Sequence, residues 1–170
     1  MRFSTSAYAP AERLEAWREI YGRTLLKLDI EPIDIDNFHT DVLMRRLPGL
    51  SMIVGTRSAT HYRRNAQRID NDDLVMSFGL AGSLEASQLG RTVSIEQGEA
   101  VVVTAGSPGY VRMPASGHTL TLSMPKRAIS ASVPDLDAAL CRAIPADNAA
   151  LRLLTRYVGA LEDTDTFAAP

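Results

Sequence analysis

The chain has 170 residues, with 18 Lys+Arg against 20 Asp+Glu and a formal net charge of -2, which excludes capture of a polyanion by bulk charge alone. Hydrophobic residues make up 45% of it, enough for one domain with a core, and the single cysteine, Cys141, excludes an intrachain disulfide or a cysteine-only metal site. The opening MRFSTSAYAPAERLEAW carries no apolar leader, and no run approaches the roughly 20 apolar residues of a membrane span; a cytoplasmic protein without membrane contact is expected.

Residues 1–9 are small and polar and read as an arm. Pro10 suits the first turn of a helix, where its missing N–H would be unpaired anyway. From there to Leu26, Leu14, Trp17, Tyr21 and Leu25 recur every three to four positions opposite Glu12, Arg13, Glu15, Glu19 and Arg23, so one apolar face is predicted. Residues 28–36 leave this helix as a loop or short strand. Their acids lack the spacing and glycine of a calcium loop.

The middle of the chain reads as short strands. Residues 38–47 and 50–58 flank a Pro48-Gly49 turn, and residues 74–81 form another strand. In the organising stretch 83–108, β-branched runs surround the polar turn Glu96-Gln97-Gly98-Glu99, where Gly98 meets the need for positive φ. Residues 110–113 and 118–124 add two more strands. Gly79 and Gly82 mark bulges or close backbone approaches. Seven or eight such strands with Gly/Pro turns predict a barrel or sandwich. After Pro125 a helix from Val133-Pro134-Asp135 to Ala143 is expected, with Leu136, Leu140 and Cys141 as its apolar side. A last helix, capped by Asp147 or Asn148, carries the stripe Leu151, Leu154, Val158 and Leu161, flanked by Leu153 and Tyr157.

Few residues point to chemistry. His39, His61 and His118 show no close metal-ligand spacing, no Gly-x-Ser-x-Gly elbow occurs, and the glycines do not form a phosphate loop. Cys141 reads as a small buried apolar residue. The basic run 57–68 is a solvated loop or edge strand by charge, and Arg57, Arg63, Arg64 or Arg68 is a candidate to hold an effector carboxylate.

Taken together, Gln88-Leu89-Gly90-Arg91, Gly98-Glu99, Val101–Thr104 and Pro108 resemble the hairpin of the N-terminal, cupin-like effector domain of AraC/XylS-type transcription regulators. Arg63 or Arg64 ahead of Asp72-Asp73, then Ser77, Gly79 and Gly82, is similar to the same pattern. So are Trp17-Arg18-Glu19 near the start and Leu153-Leu154 with Tyr157-Val158 and Leu161 near the end. The resemblance implies a mainly β, cupin-like barrel with flanking helices. It divides the chain into a sensor barrel with its N-terminal helix (1–125), a helical dimerisation segment of the same domain (126–162) and the start of a linker (163–170). It also implies a metal-free barrel and DNA contact only through helix-turn-helix units beyond Pro170.

The expected function is therefore effector sensing and dimerisation for a transcription regulator, with no catalytic residue and no cofactor. A small-molecule effector is expected among Met52, Val54, Met76, Phe78, Leu120 and Leu122, which alternate on three strands, with His118 as a polar group. Leu151, Leu154, Val158 and Leu161 are expected to join two copies. The alternatives are a small cupin-fold enzyme, such as an isomerase or oxygenase, and a dimerisation module with no ligand.

Overall fold

A computed structural model describes residues 1–162 of the chain, with side-chain environments to residue 160. The linker expected at 163–170 lies outside the described residues.

Twelve strands form two antiparallel sheets among these residues. The larger has seven: β1 (Arg2–Ser4), β3 (Thr40–Leu47), β4 (Leu50–Arg57), β11 (Gly117–Met124), β6 (Leu74–Ala81), β9 (Ala100–Thr104) and β12 (Ala143–Ile144), in that order across the sheet. The smaller has five: β2 (Asp29–Pro32), β5 (Thr60–Arg64), β10 (Gly109–Met113), β7 (Leu84–Gln88) and β8 (Arg91–Ile95). This is the mainly β architecture with flanking helices that the strand signals predict.

The N-terminal arm is not free. Its strand β1 pairs with β3, the Thr40 N–H donates to the Thr5 hydroxyl at 2.8 Å, and Phe3 stacks on Trp17 at 5.5 Å. Helix α1 (Arg13–Trp17) continues as a π-wound segment, Arg18–Leu25. The wider winding still keeps Leu14, Trp17 and Tyr21 on one buried face. The β7–β8 hairpin closes on Leu89-Gly90, both at positive φ (56° and 71°), the paired left-handed geometry of a two-residue turn. Stretch 83–108 thus holds three strands, β7, β8 and β9. The turn at Gly98 (φ 87°) carries the chain from β8 in one sheet to β9 in the other. At Gly79, a Cβ would meet the Glu96 carbonyl oxygen at 2.7 Å, so only glycine allows that approach.

The motif residues of the hairpin tie the layers together. Gln88 is buried; its amide donates to the carbonyls of Thr104 and Ser107 (2.8 and 2.9 Å) and accepts from the Thr104 N–H at 2.8 Å. Arg91 donates to the carbonyls of Asp137 and Leu140, both at 2.9 Å, and so holds the C-terminal segment against the small sheet.

That segment differs from its expectation. In place of one helix to Ala143 there are two single turns, α2 (Arg127–Ser130) and α3 (Leu136–Ala139). Asp135 caps α3 by accepting from the Ala138 N–H at 3.0 Å. Cys141 then takes φ 52°, and β12 pairs with β9. Backbone pairing with a free sheet edge wins over continuation of the helix. The last helix, α4 (Ala149–Glu162), starts at Asn148, whose side chain accepts from the Leu151 N–H at 3.0 Å.

Two apolar clusters hold the fold. One fills the space between the sheets and includes Phe3, Trp17, Tyr21, Ile30, Val42, Ile53, Tyr62, Val75, Leu84 and Met113. The other lies on the outer face of the seven-stranded sheet, beneath α4. It contains Met52, Val54, Phe78, Leu120 and Leu122, with Met76 packed against them, together with Leu151, Val158 and Leu154 from the helix.

Two expectations change here. The six residues assigned to the interior point to the outer helix, because the sheet's inner face belongs to the alternate positions Ile53, Val75, Thr119 and Thr121. Leu151 and Val158, assigned to a dimer seam, are each only 3% exposed within their own domain. The Leu161 side chain lies outside the described residues.

Truncating Leu151 to Ala removes a buried anchor of α4, and a loss of about 2–5 kcal/mol is expected in urea unfolding. Arg152→Ala, on the exposed side, should stay within about 0.5 kcal/mol. Equal small effects from both would contradict the packing of α4 on the sheet.

Candidate functional site

Between the sheets lies a cavity of about 60 Å³. Strand alternation builds its walls. From the large sheet, β4 contributes Arg57, β6 Val75 and Ser77, and β11 Thr119 and Thr121. From the small sheet, β5 contributes Tyr62 and Arg64, β7 Leu84, and β10 Tyr110, Val111 and Met113. Tyr21, Leu26 and Leu28 come from the N-terminal helix and the chain just after it. The lining is mostly apolar, with a few convergent polar groups, as in small-molecule sites. Two arginines line it and no Asp, Glu or His does, among the described residues.

Arg57 is 3% exposed. Its guanidinium lies over the ring of Tyr21 at 5.1 Å and that of Trp17 at 5.9 Å, and those two rings stack at 4.4 Å. The negative ring faces stabilise the cation where water is excluded. Its Nη1 donates to the hydroxyls of Thr119 (2.9 Å) and Thr121 (3.5 Å). Its Nε and Nη2 are buried with no hydrogen-bond partner among the described residues.

Arg64 is also buried, and differently served. Its Nη2 donates to the Leu26 carbonyl and its Nη1 to the Arg68 carbonyl at 3.4 Å, which pins the chain leaving the N-terminal helix. Burial pushes its pKa down from the ordinary value, opposed by Asp70 and Asp73. The Tyr62 hydroxyl is buried and without a partner. Burial pushes its pKa up to about 12, with the Arg57 cation pulling the other way, so it carries its proton at neutral pH.

The basic run is therefore neither a solvated loop nor an edge. Strand β5 lies between β2 and β10, and the run places Arg57 and Arg64 inside. Its other members face outward: Arg63 pairs with Glu31 at 3.6 Å and Arg68 with Asp29 at 2.6 Å. Tyr62 and Arg64 face the cavity by alternation along β5, and Arg57 does so from the end of β4. Without the register, Arg63 and Arg64 are equivalent.

None of Met52, Val54, Met76, Phe78, Leu120 and Leu122 lines the cavity, and neither does His118. His118 sits at a register shift in β11 beside Thr119, its Nε2 buried and unpartnered. The three histidines lie apart. His39 meets the Ser58 hydroxyl at 2.9 Å, and His61 meets Tyr110 edge-to-face at 4.9 Å. Among the described residues no group of three or more His, Cys, Asp or Glu is placed to hold a metal ion. Burial raises the Cys141 pKa, which keeps its thiol protonated.

These features define a two-sheet β-sandwich with an internal, cation-bearing cavity. The chain belongs to the AraC-binding-like domain family, whose pattern it matches over residues 17–168. Its structure is similar to that of CuxR, an AraC-like transcriptional activator, with a TM-score of 0.79 at 20% identity; 95% of this chain is covered. The chain spans 60% of that activator's length. It also shows a partial likeness to the Clostridium difficile EutQ protein (TM-score 0.42, 16% identity, 53% of this chain and 71% of that one). A similar likeness holds for the cupin domain of Schizosaccharomyces pombe Cnp3 (TM-score 0.42, 9% identity, 64% and 76%). No curated protein sequence matches. No helix among the described residues is long and apolar enough to cross a membrane.

The His61 pKa is lowered from 6.5, first by burial and then by the Arg63 cation. Its neutral form is the one the fold favours. Its contribution to stability is thus present above the unfolded value near 6.5 and is lost as pH falls through the lower folded value. Proton NMR should place its titration midpoint below 6.5, and Arg63→Gln should raise it. A midpoint at or above 6.5 in the native chain would contradict this environment.

Proposed function

We propose that this chain is the effector-sensing and dimerising domain of an AraC-type transcription regulator, working in the cytoplasm. The observation that carries the reading is the inter-sheet cavity, apolar over most of its wall and holding the buried Arg57 with unused donors. Cations, hydroxyls and apolar carbons bind and orient a ligand. We assign the lining no turnover. DNA contact, on this reading, belongs to a separate helix-turn-helix part of the regulator.

The strands that wall the cavity also carry the last helix. On β4, Arg57 faces the cavity while Met52 and Val54 face α4. On β6, Ser77 and Phe78 divide the same way, as do Thr119 with Thr121 and Leu120 with Leu122 on β11. One peptide layer separates the ligand from the helix. A ligand that fits one position of these strands better than another shifts the population of helix arrangements by its difference in affinity.

Residues 126–162 remain the dimerisation segment in this proposal, with a different seam. With Leu151 and Val158 used internally and Leu154 partly so, Leu153 (70% exposed) and Tyr157 (64% exposed) are the large apolar side chains left on the outer side of α4 among the described residues. They stand one helical turn apart, and a twofold pairing of α4 with its copy would cover them.

Two experiments test this. Small aromatic probes, charged and neutral, are screened by thermal unfolding. A binder at a hundred times its Kd adds about 2.7 kcal/mol, or about 5–10 °C in Tm for a chain of this size. Val103→Phe, which crowds the cavity wall, should abolish the shift. A shift that survives this substitution would place the site elsewhere.

By sedimentation, the wild type should be a dimer at micromolar concentration. Leu153→Asp and Tyr157→Asp should give monomers with unchanged circular dichroism. A wild type monomeric at high micromolar concentration would remove the dimer from the reading.

A further inference from the structure

The effector's chemistry is written in the unused donors of the cavity, an assignment that rests on that cavity being the effector site. Of its two arginines, Arg64 donates to two carbonyls and feels Asp70 and Asp73. Arg57 has no ion pair among the described residues, and its only hydrogen bonds run from Nη1 to two threonine hydroxyls. Nε and Nη2, the two nitrogens left without partners, share one edge of the planar guanidinium. Two parallel N–H groups on that edge match the two oxygens of a carboxylate. The Tyr62 hydroxyl, also buried and unpartnered on the cavity wall, supplies a third donor. A buried cation with unused donors is costly until an anion meets it.

The rest of the wall narrows the class. Val75, Leu84, Val103 and Met113 offer carbon, which suits an apolar body. Arg57 offers one unused two-nitrogen edge to one anionic group, whereas Arg64, the second cation of the wall, already directs Nη1 and Nη2 at the Arg68 and Leu26 carbonyls. A phosphate dianion would find no second free edge to meet its further oxygens.

We propose that the cavity takes a small organic monocarboxylate, its two oxygens on Nε and Nη2 of Arg57, one of them also accepting from Tyr62, and its apolar body against the hydrophobic wall.

Trp17 is the single tryptophan of the chain, and the Arg57 guanidinium lies 5.9 Å from its ring, so indole fluorescence reports on the site. The chain is titrated with benzoate and hexanoate, with their neutral amides benzamide and hexanamide, and with inorganic phosphate. At least one carboxylate is expected to give a saturable change, its amide to bind at least about tenfold more weakly, and phosphate to give none. Arg57→Met should erase the preference for carboxylate over amide. Arg57→Lys keeps the charge without the two-nitrogen edge and should retain only part of it. Circular dichroism checks folding. If Arg57→Met does not fold, Arg57→Lys and Tyr62→Phe decide: each should weaken the carboxylate and leave its amide unchanged.

An amide or phosphate binding as tightly as the carboxylate overturns the proposal, and so does a preference that survives these substitutions. In either case saturable binding that Val103→Phe abolishes leaves the cavity as an effector site and removes only the carboxylate. Absence of any saturable change with all five probes removes both.

Discussion

The seven-stranded sheet is apolar on both faces, and neither can be left in water. One face presents Val42, Ile53, Val75 and Val101; the other presents Met52, Val54, Phe78, Leu120 and Leu122. Each needs a cover, since a patch of that size left exposed would drive association. The small sheet and the N-terminal helix cover the first. Helix α4 covers the second. The position of α4 is thus set by the sheet. Among the described residues, Leu153 and Tyr157 are the large apolar side chains of α4 that remain exposed once Leu151 and Val158 are committed inside.

The same constraint explains the polar character of the inner face near the cavity. Arg57, Ser77, Thr119 and Thr121 interrupt an otherwise apolar layer. Such groups weaken a closed core, because each must find a partner away from water. Thr119 and Thr121 find theirs in Arg57, and Arg57 rests on the stacked rings of Tyr21 and Trp17. The arrangement holds the cation in place while leaving one edge of it unused. A group held rigidly before its ligand arrives needs little ordering on binding.

The cover on this side is the N-terminal helix, which the cavity contacts through Tyr21, Leu26 and Leu28. Arg18 fixes it by donating to the Ile30 carbonyl through Nε and Nη2 at 3.1 and 2.9 Å, and Arg64 fixes its exit. The helix and the cavity wall are therefore fastened to each other. On the far side, Gln88 and Arg91 make the corresponding link to β9 and to the C-terminal segment. Gln88 and Arg91, from the hairpin that carries part of the family resemblance, thus act as fastenings at the cavity's edge.

Local patterns determined much of this by themselves. Period-two runs bounded by glycine and proline placed strands β3, β4, β6, β10 and β11. The spacing of Leu14, Trp17 and Tyr21 marked the buried face of the first helix, and the last helix's cap was legible as Asp147 or Asn148, of which the structure uses Asn148. These depend on neighbours in the chain, so neighbours reveal them. The interior of the sandwich was not legible. Alternation on β4, β6 and β11 separates two faces but does not say which partner each will meet, and hydrophobicity alone favours the more apolar face as the inside. That face meets a helix instead, and the more polar face meets the cavity. The basic run is ambiguous for the same reason: only strand register separates the buried Arg57 and Arg64 from the solvated Arg63. The residues of the last helix likewise had to be shared between its own sheet and the outside. Composition alone cannot make that division, because it is settled by which surfaces the closed sheets leave uncovered.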